Sequence, residues 1–182
     1  MSLNVPATAI PEKETDEIVG LVLRARAGDR EAFGDLVERL WTELTALARG
    51  VLAADDEAED LVQDALVHAW ARLRTLRRPE SFAAWVRRIV TRRCLTRARR
   101  QKLRQEVTEE MAAVDPWPGD RIDAARLLAA LAPRQRAALY LTWIEGCTDQ
   151  EAARILGLRP ATVRVHRFRG LERLRRLVEE KP

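Results

Sequence analysis

Two small all-helical domains joined by a flexible linker are the architecture this sequence predicts, on three observations. Apolar residues recur at helical spacing along most of the 182 residues, and no run alternates as a half-buried strand would. The pattern lapses over residues 102–121, which hold EVTEE and then DPWPGD. Beyond that gap, residues 147–174 carry the spacing of a helix-turn-helix. The division implied is a short disordered lead at 1–16, a first domain at 17–101, a linker at 102–121 and a second domain at 122–182.

The lead, MSLNVPATAIPEKETDE, lacks the basic start and apolar run of a signal peptide. Gly28-Asp29 breaks the first helix and offers Asp29 as the cap of the next. That helix carries Phe33, Leu36, Val37, Leu40, Leu44 and Leu47 on one stripe. After a loop around 53–57, Ala58, Leu61, Val62, Ala65, Leu66, Ala69 and Trp70 repeat at 3-4-3-4 spacing. Pro79-Glu80-Ser81 marks another loop, with Ser81 as a cap for a helix through Phe82, Trp85, Val86 and Ile89. In the second domain, Leu127, Leu128 and Leu131 share a short helix. Pro133 suits the first turn of the next helix and Gly146 its end.

The net charge is only +4, so the balance itself says little about partners; the distribution says more. Residues 72–104 hold thirteen basic residues and one acid, Glu80, while residues 55–64 hold six acids and no base. Residues 159–176 hold seven Arg and one acid, Glu172. Two basic binding surfaces and one acidic surface follow. Cys94 and Cys147 are far apart and belong to no CxxC or Cys/His cluster, which points away from zinc and toward reduced thiols in a cytoplasmic protein. No apolar stretch reaches the roughly 20 residues of a membrane span.

In CTDQEAARILGLRPATVRVHRFRGLERL, Thr148 and Glu151 form a capping box at a helix start. Ala153 is small where two helices would cross, Gly157 permits a left-handed turn, and Val163 returns apolar contact. The second helix then offers Arg159, Thr162, Arg164, Val165, His166 and Arg169 to a major groove. His166 reads equally as a surface histidine.

In the first domain, DEAEDLVQDALVHAW places Asp60, Gln63 and Asp64 opposite an apolar stripe, a pattern that a merely solvated face also satisfies. LRRPESFAAWVRRIVTRRCLTRARRQK interleaves aromatic and basic residues. Basic charge neutralises phosphates, and aromatic rings stack on unpaired bases. Trp85 fits the apolar stripe and reads as core. Phe82, beside the loop, reads either as core or as a stacking ring.

Taken in this order, AGDREAFGDLVERL, DEAEDLVQDALVHAW, SFAAWVRRIV and LAPRQRAALYLTWIEGCTDQEAARILGLRPATVRVHRFRGLERL resemble the extracytoplasmic-function group of bacterial RNA polymerase sigma factors. The resemblance implies that Asp60, Gln63 and Asp64 face core RNA polymerase. It implies that Arg77, Arg78, Phe82, Arg88, Arg92 and Arg93 serve the −10 element of promoter DNA. Arg159, Thr162, Arg164, Val165, His166 and Arg169 would read the −35 element. An anti-sigma partner is common in this group. Arg92 stands where the group commonly has Asn, His166 where it usually has Arg, and Arg167 where it usually has an apolar residue. No catalytic residue, metal or cofactor is expected. A nuclease would need carboxylates or a histidine acid/base site in a basic cleft, whereas the acids at 55–64 lie away from the basic residues. The alternative is a helix-turn-helix regulator that binds duplex DNA without polymerase.

Overall fold

The structure is a computed structural model and describes residues 12–52, 57–108 and 124–179. The first domain comprises α1 (Glu12–Arg26), α2 (Arg30–Leu52), α3 (Ala58–Arg72) and α4 (Phe82–Thr108). The second comprises α5 (Ala124–Ala129), α6 (Pro133–Leu139), α7 (Asp149–Leu156) and α8 (Pro160–Glu179). Short 3-10 turns at Leu73–Thr75 and Pro79–Ser81 join α3 to α4, and α6 runs on into a π-turn at Tyr140–Ile144. The described residues contain helices and no strand. Two ends differ from the sequence expectation: α1 begins inside the expected lead, and α4 runs past residue 101 to Thr108. The segment QKLRQEVT is rich in good helix formers, so nothing local stops α4 at the domain edge. The expected lead up to residue 11, the loop at 53–56 and the linker at 109–121 lie outside the described residues.

In the first domain, α2 is the central element. Its stripe of Leu36, Leu40, Leu44, Leu47, Ala48 and Val51 is buried against α1, α3 and α4. The facing residues include Val22 of α1, Val62 and Ala65 of α3, and Val86 and Val90 of α4. Gly28 takes φ +105° between α1 and α2. Asp29 then accepts the Ala32 N–H at 3.0 Å, and that bond, with the one from Arg24, holds its carboxyl below the usual range. Ser81 does not cap α4 as expected. Its hydroxyl donates to the Arg78 carbonyl at 2.7 Å, closing the 3-10 turn that Pro79 begins.

In the second domain α6 and α8 cross closely at Gly170, where a Cβ would lie 2.8 Å from Leu139 Cδ1. The two domains are also packed on each other. The buried cluster continues from the first domain into Ala137, Leu141, Ile155, Leu156 and Val163 of the second. The contacts run from α2 and α4 to α6 and α7.

Candidate nucleic-acid interface

The helix-turn-helix forms as its local chemistry dictates. The Glu151 N–H donates to Thr148 Oγ1 at 3.3 Å, and the Thr148 N–H donates to Glu151 Oε2 at 2.8 Å. These bonds keep the Glu151 carboxyl below the usual range. Gly157 ends α7 at φ +66°, its N–H and that of Leu158 both returning to the Ala153 carbonyl. Pro160 opens α8.

Burial of Val163 and Gly170 fixes which way α8 faces. Arg164, Val165, Phe168 and Arg169 are exposed, Arg159 is exposed just ahead of the helix, and Thr162 is half-buried beside them. His166 sits on the flank rather than the outward face. It is half-buried, and desolvation with the nearby Arg134 and Arg169 charges pushes its pKa down, favouring the neutral ring. Arg167, at the unusual position, turns back to α7 and donates to Asp149 Oδ1 at 2.7 Å. Asp149 also lies 3.8 Å from Arg164. Phe168, 64 % exposed, was not among the expected readers. The signal for it is its spacing, i+3 from Val165 and i+4 from Arg164.

The first domain has a cleft of about 300 Å³ between the end of α3 and α4. Its walls bring Arg88, Arg92 and Arg93 together with His68, Arg72 and Trp85. Arg77 and Arg78 lie on the connecting turn outside this cleft, and Arg78 is paired with Glu80 at 2.8 Å. Phe82 is 1 % exposed, in the core that seats the start of α4, which is one of the two places the sequence allows it. Trp85 is half-buried and packs against the core as its place on the stripe implies, and it also borders the cleft. His68, Arg72, Trp85, Arg88 and Arg92 were legible as i+4 and i+3 neighbours on two helices; that the two helices face each other was not.

On α3, Asp60, Gln63 and Asp64 are exposed opposite the buried Val62, Ala65, Leu66 and Ala69. Asp64 reaches Arg93 at 3.7 Å. The neighbouring acids serve the fold instead. Glu57 accepts a two-bonded contact from Arg97, which lowers its pKa, and Glu59 pairs with Arg49 at 3.0 Å. Among the described residues no group of three or more His, Cys, Asp or Glu is placed to hold a metal ion. None of their helices is long and apolar enough to cross a membrane.

Residues 36–104 match the Sigma-70 region 2 family, and residues 121–174 match the family described as Sigma-70, region 4. The chain is 34 % identical over 160 residues to the ECF RNA polymerase sigma factor SigM of Mycobacterium tuberculosis, covering 84 % of this chain and 80 % of that protein. Among solved structures it resembles CnrH, determined in complex with the cytosolic domain of CnrY. That match has a TM-score of 0.68 and 29 % identity, over 92 % of this chain and 100 % of CnrH. The sigma factor RpoE from Bartonella quintana, in complex with the anti-sigma factor NepR, has a TM-score of 0.64 and 25 % identity, over 82 % of this chain and 98 % of that chain.

Proposed function

The chain belongs to the extracytoplasmic-function group of the sigma-70 family, and from that premise we propose how its own residues divide the work of promoter recognition. It is a sigma factor that directs RNA polymerase to promoters. One observation carries the division: a basic, tryptophan-bordered cleft in one domain and an arginine-faced helix-turn-helix in the other, on a single chain. In this reading α8 lies in the major groove of the −35 element, with Arg164 and Val165 at base edges. Arg88, Arg92 and Arg93 neutralise phosphates at the −10 element, and Trp85, in place of Phe82, stacks on a base released by melting. Asp60, Gln63 and Asp64 face core polymerase. Arg77 and Arg78 reach only flanking backbone.

The work is binding, not covalent chemistry. Binding energy from the cleft offsets the cost of unstacking one base, a few kcal/mol. The protein acts in the cytoplasm. CnrH was solved with the cytosolic domain of CnrY and RpoE with the anti-sigma factor NepR, and we infer that an anti-sigma protein holds this chain as well. A regulator acting without polymerase accounts for α7 and α8 but leaves the cleft and the acidic face of α3 without a role.

The test is run-off transcription from a genomic fragment library with core polymerase. Addition of the chain is expected to produce a small set of discrete starts. Asp60→Arg with Gln63→Ala should weaken holoenzyme assembly in a pull-down while leaving helix content unchanged. An absence of chain-dependent starts would sink the reading; assembly unaffected by the double substitution would remove that face from the interface.

A further inference from the structure

The stretch of chain that ends α3 has a cavity on either side. Arg72 and Thr75 belong to the cleft bordered by Trp85. Ala71, Leu73 and Arg74, which alternate with them in sequence, line a second cavity of about 320 Å³ beside the end of α1. The ridge between the two is rigid. Leu73 is buried, and the Thr75 hydroxyl donates to the Arg72 carbonyl at 2.7 Å. The second cavity repeats the chemistry of the first. One wall is the Trp70 indole, which is seated on Phe33 with ring centroids 4.9 Å apart. A ring already fixed by packing loses little side-chain freedom when a ligand stacks on it. Arg26 and Arg74 add two guanidiniums, and no acid lines the cavity. Asp29, close by in sequence, is held by Arg24 at 2.8 Å. Among the described residues neither Arg26 nor Arg74 has an ion-pair partner. Arg26 answers the negative end of the α1 dipole, and Arg72 does the same in the last turn of α3. Arg74, past the end of α3, is left over for an anion from outside.

We propose that this second cavity takes a further unpaired nucleotide of the same DNA strand, so that the strand crosses the Leu73–Thr75 turn with one base on Trp85 and another on Trp70. The assignment rests on the sigma-factor reading and extends the single-strand contact beyond the one cleft. An indole face suits any base, because every base has a π-face, and spare guanidiniums suit the phosphates on either side of it. The two cavities are within reach of one strand. A helix with its side chains is about 10–12 Å across, a distance that a few nucleotides cover. Continuity of positive charge favours the same path: Arg88, Arg92 and Arg72 stand on one side of the ridge, and Arg74 and Arg26 on the other. Each stacked base offsets part of the cost of keeping the strand melted, so the second site adds to the hold on open DNA rather than to recognition of the duplex.

The experiment binds holoenzyme to the non-template strand upstream of a start located by run-off transcription, with one base at a time removed to leave an abasic site. Two positions a few nucleotides apart should each lose roughly 5- to 150-fold in affinity, the loss of one stacked base. Trp85→Ala should abolish the cost at one position and Trp70→Leu at the other. Leucine at 70 keeps an apolar contact with Phe33 and removes the stacking ring. If Trp70→Leu melts below the parent, Arg26→Ala with Arg74→Ala takes its place, since neither guanidinium holds the fold by an ion pair. That double variant should lower the salt slope on the full strand by about 1.4 units, and leave unchanged the slope on a strand cut back to end before the second position. A single sensitive position, or two that both depend on Trp85 and neither on Trp70, overturns the second site and leaves the promoter reading standing. An unchanged slope on the full strand overturns it as well. A strand that binds holoenzyme no better than core polymerase alone overturns both.

Discussion

The Phe82 ring is enclosed at the start of α4, while the Trp85 indole, nearly one turn on, borders the cleft beside Arg88 and Arg92. Their ring centroids are 6.2 Å apart, yet only one ring can meet a ligand. Phe82→Ala should cost about 3–5 kcal/mol of stability by leaving a cavity. Trp85→Ala should leave melting much closer to the parent and weaken binding of a single-stranded −10 oligonucleotide by about 1–3 kcal/mol. Equal loss of oligonucleotide binding in both variants, each still folded, would return the stacking role to neither residue. Two other side chains are buried without use of their polar atoms. Thr45 Oγ1 and Thr91 Oγ1 have no hydrogen-bond partner. Replacing such a hydroxyl by a methyl removes a desolvation cost of about 1–3 kcal/mol. Thr91→Val is therefore expected to raise the urea midpoint without changing the slope; a lower midpoint would mean that the hydroxyl does have a partner in solution.

At the scale of elements, the pair α7 and α8 shows how an ion pair sets the direction of a reading helix. Asp149, at the start of α7, holds Arg167 and lies within 4 Å of Arg164. Arg167 thus supplies by charge a contact between the two helices. Arg164 and Arg169 remain exposed, but they sit more than one turn apart on α8. Arg164→Ala should relax preference at one or two −35 positions, since an Arg–guanine contact discriminates by about 1–3 kcal/mol. Arg169→Ala should weaken all sequences alike and reduce the salt slope by about one unit. Affinities for single-base promoter variants at several salt concentrations measure both. A uniform loss in the Arg164 variant would shift base reading to Val165 and Phe168.

Over the whole molecule, the domain interface places a carboxyl among groups of both signs. Glu145 faces Arg87 and Glu43 from the first domain, with Tyr140 and Cys147 near it in its own. Burial raises its pKa first, Arg87 lowers it in part, and Glu43 raises it further. A carboxyl whose pKa is higher between the packed domains than in water favours packing most when protonated. Its contribution is complete below the usual value of 4.5 and is lost as pH rises through the raised one. The packing should therefore tighten toward acid. Tyr140 and Cys147, pushed up to about 12 and about 11, do not titrate in that window. The distance between dyes on the two domains, followed from pH 8 downward, should shorten, and Glu145→Gln should flatten that change. A pH dependence unaltered in the Gln variant would assign it elsewhere, with His166 the first group to examine.

The sequence by itself determined the elements and their order. Helical spacing of Leu and Ala, the Thr148–Glu151 cap, Gly157 and Pro160 act within a turn or two of chain, so they can be read without a partner element. The exposed face of α3 followed from the same periodicity, as did Arg164, Val165 and Arg169 on the outward face of α8, but His166 lies on its flank and Phe168 takes a place on that face. Tertiary structure decided what depends on which helices meet. Phe82 and Trp85 both fit one stripe, and only the position of α3 and the 3-10 turns assigns one to the core and one to the cleft. Arg167 and His166 are neighbours in sequence, and the place of α6 and α7 sends one to Asp149 and the other to Arg134. The docking of the domains was the least legible of all. It rests on an arginine in α6 and two carbonyls that end α2, 84 and 85 residues apart, and a backbone carbonyl carries no signature in the sequence.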